Sequence, residues 1–227
     1  MGHTRKRFFS QWKKKFSNKT LADMGIGAMI VFIAMVLVAG IAASVIVQTA
    51  NRLEMQSMTS GQETTGEVSS GIGVLDIEGH RTGVGLDRLM ISVETRAASR
   101  DIDLSQVYIE ISDGNRKCLL SYLPAEFHDK SEVAGNMYND TFFNNLTATT
   151  FGVIVNQDSD GSFTRAHPVL NYGDMARLTL VTSSCFGGVG LTPRTDVFGL
   201  IQPEQGAPGF FGFRTPFLNA NTLYLVY

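Results

Sequence analysis

Few side chains in this sequence stand at the spacings that catalysis or metal binding requires. No two histidines have the separation of a metal-ligand pair; they are His3, His80, His128 and His167. The sequence also lacks a Gly-x-Ser-x-Gly nucleophile motif, a phosphate-binding loop and a His-Glu-x-x-His motif. We therefore predict no catalytic residue, no cofactor and no enzyme activity, and we expect the histidines on the surface or in turns.

One acidic stretch imitates the first half of a calcium-binding loop, Asn156-x-Asp158-x-Asp160-Gly161. The twelfth position of such a loop should be a bidentate glutamate, and here it is His167. We therefore assign no metal site. Aspartate followed by glycine is a strong turn signal, so the stretch predicts a hairpin turn between a strand at 151–155 and one near Val169.

Two acceptor sequons for N-linked glycans lie close together, at Asn139-Asp140-Thr141 and Asn145-Leu146-Thr147. Sequons occur often by chance, but two in one surface loop of an exported domain are credible glycan sites. The two cysteines, Cys118 and Cys185, leave two interpretations open. In an outward-facing domain they form one disulfide; beside apolar neighbours they are equally ordinary as buried free thiols.

The chain is organised around an uninterrupted apolar segment near its start, Gly25–Val47, which carries no charge and no proline. At a rise of about 1.5 Å per residue a helix of this length crosses a bilayer. The preceding 22 residues contain no acidic side chain and seven basic ones: Arg5, Lys6, Arg7, Lys13, Lys14, Lys15 and Lys19. A basic segment before an apolar helix stays on the cytoplasmic side, so the rest of the chain is expected outside.

Small residues recur at a spacing of four within this helix, Ala39 with Ala43 and Gly40 with Ser44. Such positions let helix backbones approach closely and predict a packing face. We expect the helix to continue beyond Val47 and to end near Gly61–Gly66, because glycine ends helices.

From Ser69 onward the pattern changes to strands, with period-two runs separated by Gly, Asp, Asn and Pro. The class is α+β: a long hydrophobic helix at 23–66, followed by an antiparallel β-sandwich or barrel, immunoglobulin-like, at 67–227. A piece at 129–145 breaks the strand pattern and is expected to be a polar insertion. The predicted strands are 74–79, 89–95, 107–111, 151–155, 176–182, 195–201 and 222–227.

The net charge of −2 conceals an asymmetry. Setting aside the seven basic residues of the first 22 leaves 12 basic against 21 acidic side chains. Nucleic-acid binding needs clustered lysine and arginine, so the acidic remainder argues against that partner.

The apolar segment resembles the N-terminus of the archaeal flagellins, or archaellins. The resemblance begins at Gly25-Ile26-Gly27 and extends through MIVFIAMVLVAGIAASVIVQTA. It continues at QETTGEVSSGI (62–72) and VLDIEG (74–79), and returns at Tyr172-Gly173-Asp174, PEQGAP (203–208) and FRTP (213–216).

This resemblance implies a type IV pilin-like subunit of a swimming filament. Residues 1–22 would be a leader that a membrane-bound peptidase removes, and alignment on Gly25 and Gly27 places the scissile bond between Ala22 and Asp23. Archaellin leaders usually end in glycine, so Ala22 is a departure from the pattern. The mature helix would then leave the bilayer and polymerise with other archaellins in the extracellular archaellum, assembled by membrane machinery.

Two other functions compete with this one. A related adhesion pilin would share the leader and the helix. An exported or membrane-anchored binding domain would instead lose the helix to a signal peptidase cutting after Ala42.

Overall fold

The structure is a computed structural model that describes residues 4–97, 99–129, 131–133, 135, 137–138, 140–219 and 221–227, with backbone alone for 4–23 and for Asp140. The chain divides into two units, Met1–Gly61 and Gln62–Tyr227. Within its described residues the first unit is helical, and the second contains the end of the same helix and the β domain.

Helix α1 spans Thr4–Ser69 without interruption, so it includes the basic segment and extends beyond the predicted end. Its last turn is held within the β-domain unit. The Ser70 amide donates to the Gly66 carbonyl at 2.8 Å, and the Ser70 hydroxyl accepts the Arg100 amide at 3.1 Å. A glycine inside a helix costs about 1 kcal/mol relative to alanine. The low helix propensity of glycine therefore predicted too early an end for α1, because these contacts stabilise its last turn.

Eleven strands, one short α-helix and two single-turn 3₁₀ helices follow among the described residues. The strands are β1 Ile72–Thr82, β2 Gly85–Thr95, β3 Ile102–Asp103, β4 Tyr108–Ser112, β5 Lys117–His128, β6 Thr150–Gln157, β7 Val169–Leu170, β8 Met175–Val181, β9 Asp196–Gln202, β10 Gly209–Arg214 and β11 Leu223–Leu225. Helix α2, Thr182–Phe186, follows β8. The long strand β5 and the strand β10 were not anticipated, because β5 contains a proline and β10 two glycines, which weaken a strand pattern.

Nine strands form one sheet in the order β10-β9-β4-β5-β6-β8-β2-β1-β11, and β3 pairs with β7 separately. The predicted class, a long apolar helix followed by a mostly antiparallel β domain, is confirmed. The exception is the parallel pair of β5 and β6. A parallel pair needs a long crossover, and the segment between His128 and Thr150 supplies it.

The sheet curves so that the region before β10 approaches the start of β1. The Ala207 amide donates to the Ser70 carbonyl at 2.8 Å, and a side-chain carbon on Gly209 would lie 3.0 Å from the Ile72 carbonyl oxygen. The inward faces of the strands enclose the main core. Its fully buried members include Ile77, Leu89, Ile109, Phe151 and Leu178.

The crossover between β5 and β6 is not simply a polar surface insertion, as the sequence suggested. It contributes Tyr138, Phe142, Phe143 and Leu146 to a second buried cluster, which packs on Met90 of β2 and Ile154 of β6. One half of the outer face of the sheet is therefore covered by the chain itself. The apolar residues of this segment are spaced irregularly, so no periodicity marked them as buried.

Candidate functional site

The apolar part of α1 is exposed over its whole circumference. Fifteen large apolar side chains between Met24 and Val47 are more than half exposed, including Ile30, Phe32, Leu37 and Ile41. By length and composition this helix is able to cross a membrane. A helix that is hydrophobic all round is one that becomes buried on all sides, in a core or in a bilayer.

Polar side chains within the apolar helix are satisfied by the helix itself. The Thr49 hydroxyl donates to the carbonyls of Val45 and Ile46 at 2.8 and 2.9 Å, and the Gln48 amide donates to the Ser44 hydroxyl at 3.3 Å. These groups therefore enter an apolar environment with hydrogen bonds already made, which lowers the cost of burying them.

The predicted packing residues, Ala39, Gly40, Ala43 and Ser44, lie on α1 with the expected helical spacing. Apart from the adjacent residues and the nearby backbone of α1 itself, no atom of the described chain lies within 4 Å of a side-chain carbon built on Gly40. The space beside this glycine is thus open to another helix. The predicted processing residues Ala22, Asp23, Gly25 and Gly27 also lie within α1, and the space around both glycines is open.

The acidic stretch forms a turn in which three carboxylates converge. The oxygens of Asp158, Asp160 and Asp174 lie within 4.8 Å of one another, close enough to share a divalent cation. Two of these carboxylates also accept hydrogen bonds that close the turn: Asp158 from the Gly161 amide at 2.7 Å, and Asp174 from the Ser159 amide at 2.9 Å. Sequence spacing missed Asp174, because it approaches from the start of β8.

Hydrogen bonds also bias the ionisation of this turn. The Ser162 hydroxyl and amide, followed by the Asn171 side chain, stabilise the charged form of Asp160 and hold the pKa of that carboxyl below its usual range. The hairpin predicted across this turn is wrong in its pairing. Strand β6 pairs with β8, and β7 at Val169 pairs with β3.

Cys118 and Cys185 are joined by a disulfide, with their Cα atoms 6.2 Å apart. Cys118 lies on β5 and Cys185 on α2, and both side chains pack against the main core. The bridge therefore connects two elements that are 67 residues apart in sequence.

Of the two sequons, Asn139 lies outside the described residues, and Asn145 is exposed near the end of the crossover. The Asn145 side-chain amide, the atom that a glycan would be attached to, donates to Glu126 Oε1 at 2.5 Å. Glu126 is only 2% exposed and also faces His128 Nε2 at 3.3 Å. Asn145 thus has a structural role that the sequon did not indicate.

The histidines of the β domain lie at ordinary polar contacts. His80 Nδ1 lies 3.0 Å from an Asp87 oxygen, and His128 lies between Glu126 and Glu132. Both side chains are largely buried, which corrects the expectation that they lie on the surface. His167 lies in a turn that is closed by hydrogen bonds with Thr164.

Comparison with known proteins gives consistent matches over most of the chain. A family model described as archaeal-type flagellin matches residues 22–213. Flagellin B2 of Methanocaldococcus jannaschii is 41% identical over 194 residues, which are 85% of this chain and 88% of that protein.

Two solved structures share the fold. The crystal structure of archaeal flagellin FlaB1 from Methanocaldococcus jannaschii matches with a TM-score of 0.62 and 27% identity, over 69% of this chain and 96% of that one. The archaeal flagellum of Methanospirillum hungatei matches with a TM-score of 0.58 and 16% identity, over 89% of this chain and 98% of that one.

Proposed function

The chain belongs to the archaeal-type flagellin family, and we propose that α1, from Asp23 onward, forms the core of its filament. As a flagellin, the protein is a structural subunit of the extracellular archaeal flagellum and not an enzyme. It assembles with other flagellin subunits. The observation that carries the proposal is the apolar surface of α1, which no part of the described chain covers.

The amount of exposed surface indicates how many neighbours the helix needs. Burying a large aliphatic side chain contributes about 1.5–3 kcal/mol, whereas association costs about 4–15 kcal/mol in lost freedom. Covering half of the fifteen side chains at the lower figure yields roughly 11 kcal/mol, which lies within the range of that cost and leaves little net gain. A stable polymer in water therefore requires helices on several sides of each α1, as in a bundle.

The small residues decide whether the helix leaves the membrane. Lipid tails are as apolar as leucine, so transfer from bilayer to bundle gains little from the hydrophobic effect and depends on close packing. Ala39, Gly40, Ala43 and Ser44 allow that close approach. We propose that they set the distance between neighbouring helices in the filament core.

We further propose that residues 1–22 are a leader removed at the Ala22–Asp23 bond. The basic leader holds the precursor in the membrane with α1 as a transient span. A membrane-bound leader peptidase and the membrane assembly and motor machinery are the partners that this pathway requires. Gly25 and Gly27 each weaken the helix by about 1 kcal/mol, which favours local opening next to the bond. Glycans on Asn139 and Asn145 are part of the same proposal.

The test uses filaments sheared from cells that make this chain as their flagellin. We expect N-terminal sequencing to begin at Asp23. Trp12 is the single tryptophan of the sequence, so trimmed filaments should lack tryptophan fluorescence, whereas precursor from peptidase-deficient cells should show it. A mature start near Ala43 would remove the core helix and contradict the proposal, as would filaments that retain tryptophan emission.

A further inference from the structure

Half of the outer face of the sheet is left bare, and it is apolar. We use the name bare face for the outward side chains of β4, β5, β9 and β10. Its apolar members are Tyr108, Leu119, Phe198, Leu200 and Phe210, of which Leu119, Phe198 and Phe210 are 58%, 62% and 67% exposed. Three of these five are aromatic, the residue class that most often anchors protein interfaces.

Strand register makes the bare face continuous. Leu200 of β9 stands opposite Phe210 of β10 on one side and opposite Glu110 of β4 on the other, and Glu110 stands opposite Leu119 of β5. Tyr108 borders the same row, and together with Leu119 and Leu200 it lines a shallow groove of 370 Å³. The apolar side chains therefore form one surface rather than scattered exposed residues.

The other half of the outer face is covered by the crossover between β5 and β6. Phe142 and Leu146 of this crossover pack in one buried cluster with Met90 of β2 and Ile154 of β6. No equivalent segment among the described residues lies over Phe198 and Phe210, which stay exposed.

The charges on the bare face cancel within it. Glu110 lies 2.5 Å from Lys117, and Asp196 lies 3.5 Å from Arg214. Beyond Ser69 the chain carries 17 acidic and 11 basic side chains, so copies of this domain repel one another at most approaches. Because its own charges are paired, the bare face is a surface at which two copies meet without this electrostatic repulsion.

The apolar area of the bare face is too small for a freely diffusing partner and suits one that is already held nearby. Aromatic side chains bury about 150–250 Å² each, so this partly exposed set offers roughly 400 Å². A stable free complex buries about 800 Å² per partner. A contact half that size is useful only where the partner is already held nearby, as in a polymer with a high effective concentration.

We propose that the bare face packs on the C-terminal segment, the described residues 217–219 and 221–227, of a neighbouring copy in the filament. This inference rests on the proposed assembly through α1. Helical polymers are built from heterologous contacts, in which one surface meets a different surface of the next copy. The C-terminal segment is another apolar surface of the described β domain, with Phe217, Leu223, Leu225 and Tyr227 at least half exposed.

Strand β11 presents alternate apolar side chains that a neighbouring copy is able to cover. Tyr224 and Val226 turn toward the core, while Leu223, Leu225 and Tyr227 alternate outward. β11 is also an edge strand of the sheet, so one of its sides is unpaired within the sheet. An apolar edge of this kind is protected when a neighbouring copy covers it.

The first test compares full-length Phe198→Lys/Phe210→Lys with wild type and with Tyr172→Lys, a control at an aromatic residue that is 80% exposed outside the bare face. Loss of aromatic anchors typically speeds dissociation by about tenfold or more. We expect sheared double-variant filaments to disassemble at least about tenfold faster on heating, with wild-type rates for the control. Equal rates for the double variant and wild type would overturn the inference.

The second test identifies the covering segment and needs only one exposed substitution. A benzophenone amino acid replaces Phe210, filaments are irradiated, and the cross-linked dimers are digested. We expect the partner peptide to fall within residues 217–227, and no such peptide when the probe replaces Tyr172. Cross-links to another region, or to a different protein, would overturn the inference. Failure of wild type to form filaments would instead overturn the proposed assembly through α1.

Discussion

At the scale of single residues, the most informative group is the buried carboxylate of Glu126. Asn145 donates to one of its oxygens and His128 lies against the other. A buried carboxylate that loses a donor costs about 1–3 kcal/mol or more. Asn145 therefore has two roles to separate. Its side-chain amide stabilises Glu126, and the same amide would carry the proposed glycan.

The residues of the sequon separate these roles. We expect Asn145→Ala to lower the free energy of unfolding by about 1–3 kcal/mol, even in chains made without glycans. Thr147→Ala destroys the same sequon and removes only exposed hydrogen bonds, two with the hydroxyls of Thr149 and Thr150 and one from the Thr149 backbone amide, so we expect little change. Chemical unfolding of the full-length chain in detergent, followed by near-ultraviolet circular dichroism, makes the comparison. Equal stability of the two variants would show that the Asn145–Glu126 bond is unimportant.

At the scale of elements, helix α1 and the sheet are stabilised in different ways. The β domain covers its own apolar residues with strands and with the crossover at 129–149. Helix α1 makes its backbone hydrogen bonds alone, while its apolar side chains stay exposed. Substitutions on the apolar part of α1 should therefore affect assembly without affecting the fold of the β domain.

Gly40→Leu tests that separation. A leucine at a close helix contact forces overpacking, which costs about 1–3 kcal/mol per contact, so we expect few or no filaments. The β domain should keep its wild-type unfolding midpoint. Ile41→Leu, a volume-conserving change at the next position, should assemble normally. Abundant filaments from Gly40→Leu would mean that the small-residue face does not set the helix spacing.

At the scale of the whole molecule, the clustered basic side chains and the disulfide lie in different parts of the chain. The basic side chains of the first 22 residues leave with the proposed leader, and the remaining chain is acidic. Copies that repel one another at long range must be held by short-range packing, which the apolar helix provides. The outer domain must in turn stay folded outside the cell, where the Cys118–Cys185 bridge connects β5 to α2.

We expect the double variant Cys118→Ser/Cys185→Ser to lose about 4 kcal/mol of unfolding free energy at 25 °C. That figure follows from the chain entropy of a loop closed across 67 residues. Wild type treated with a reductant should unfold at the same denaturant concentration as the double variant. Coincident curves for oxidised wild type and the double variant would show that the bridge adds no stability.

The amino-acid sequence by itself determined the apolar helix, the basic segment before it, the strand-rich character of the remainder and the absence of catalytic motifs. These features depend on local periodicity and composition, and helical hydrogen bonds connect residues only four apart. The tertiary structure decided the parallel pairing of β5 with β6, the burial of Phe142 and Leu146, and the approach of Asp174 to Asp158. It also decided which half of the outer face is bare. Each of these depends on pairing between residues distant in sequence, and that pairing is set by competition for the core rather than by any local pattern.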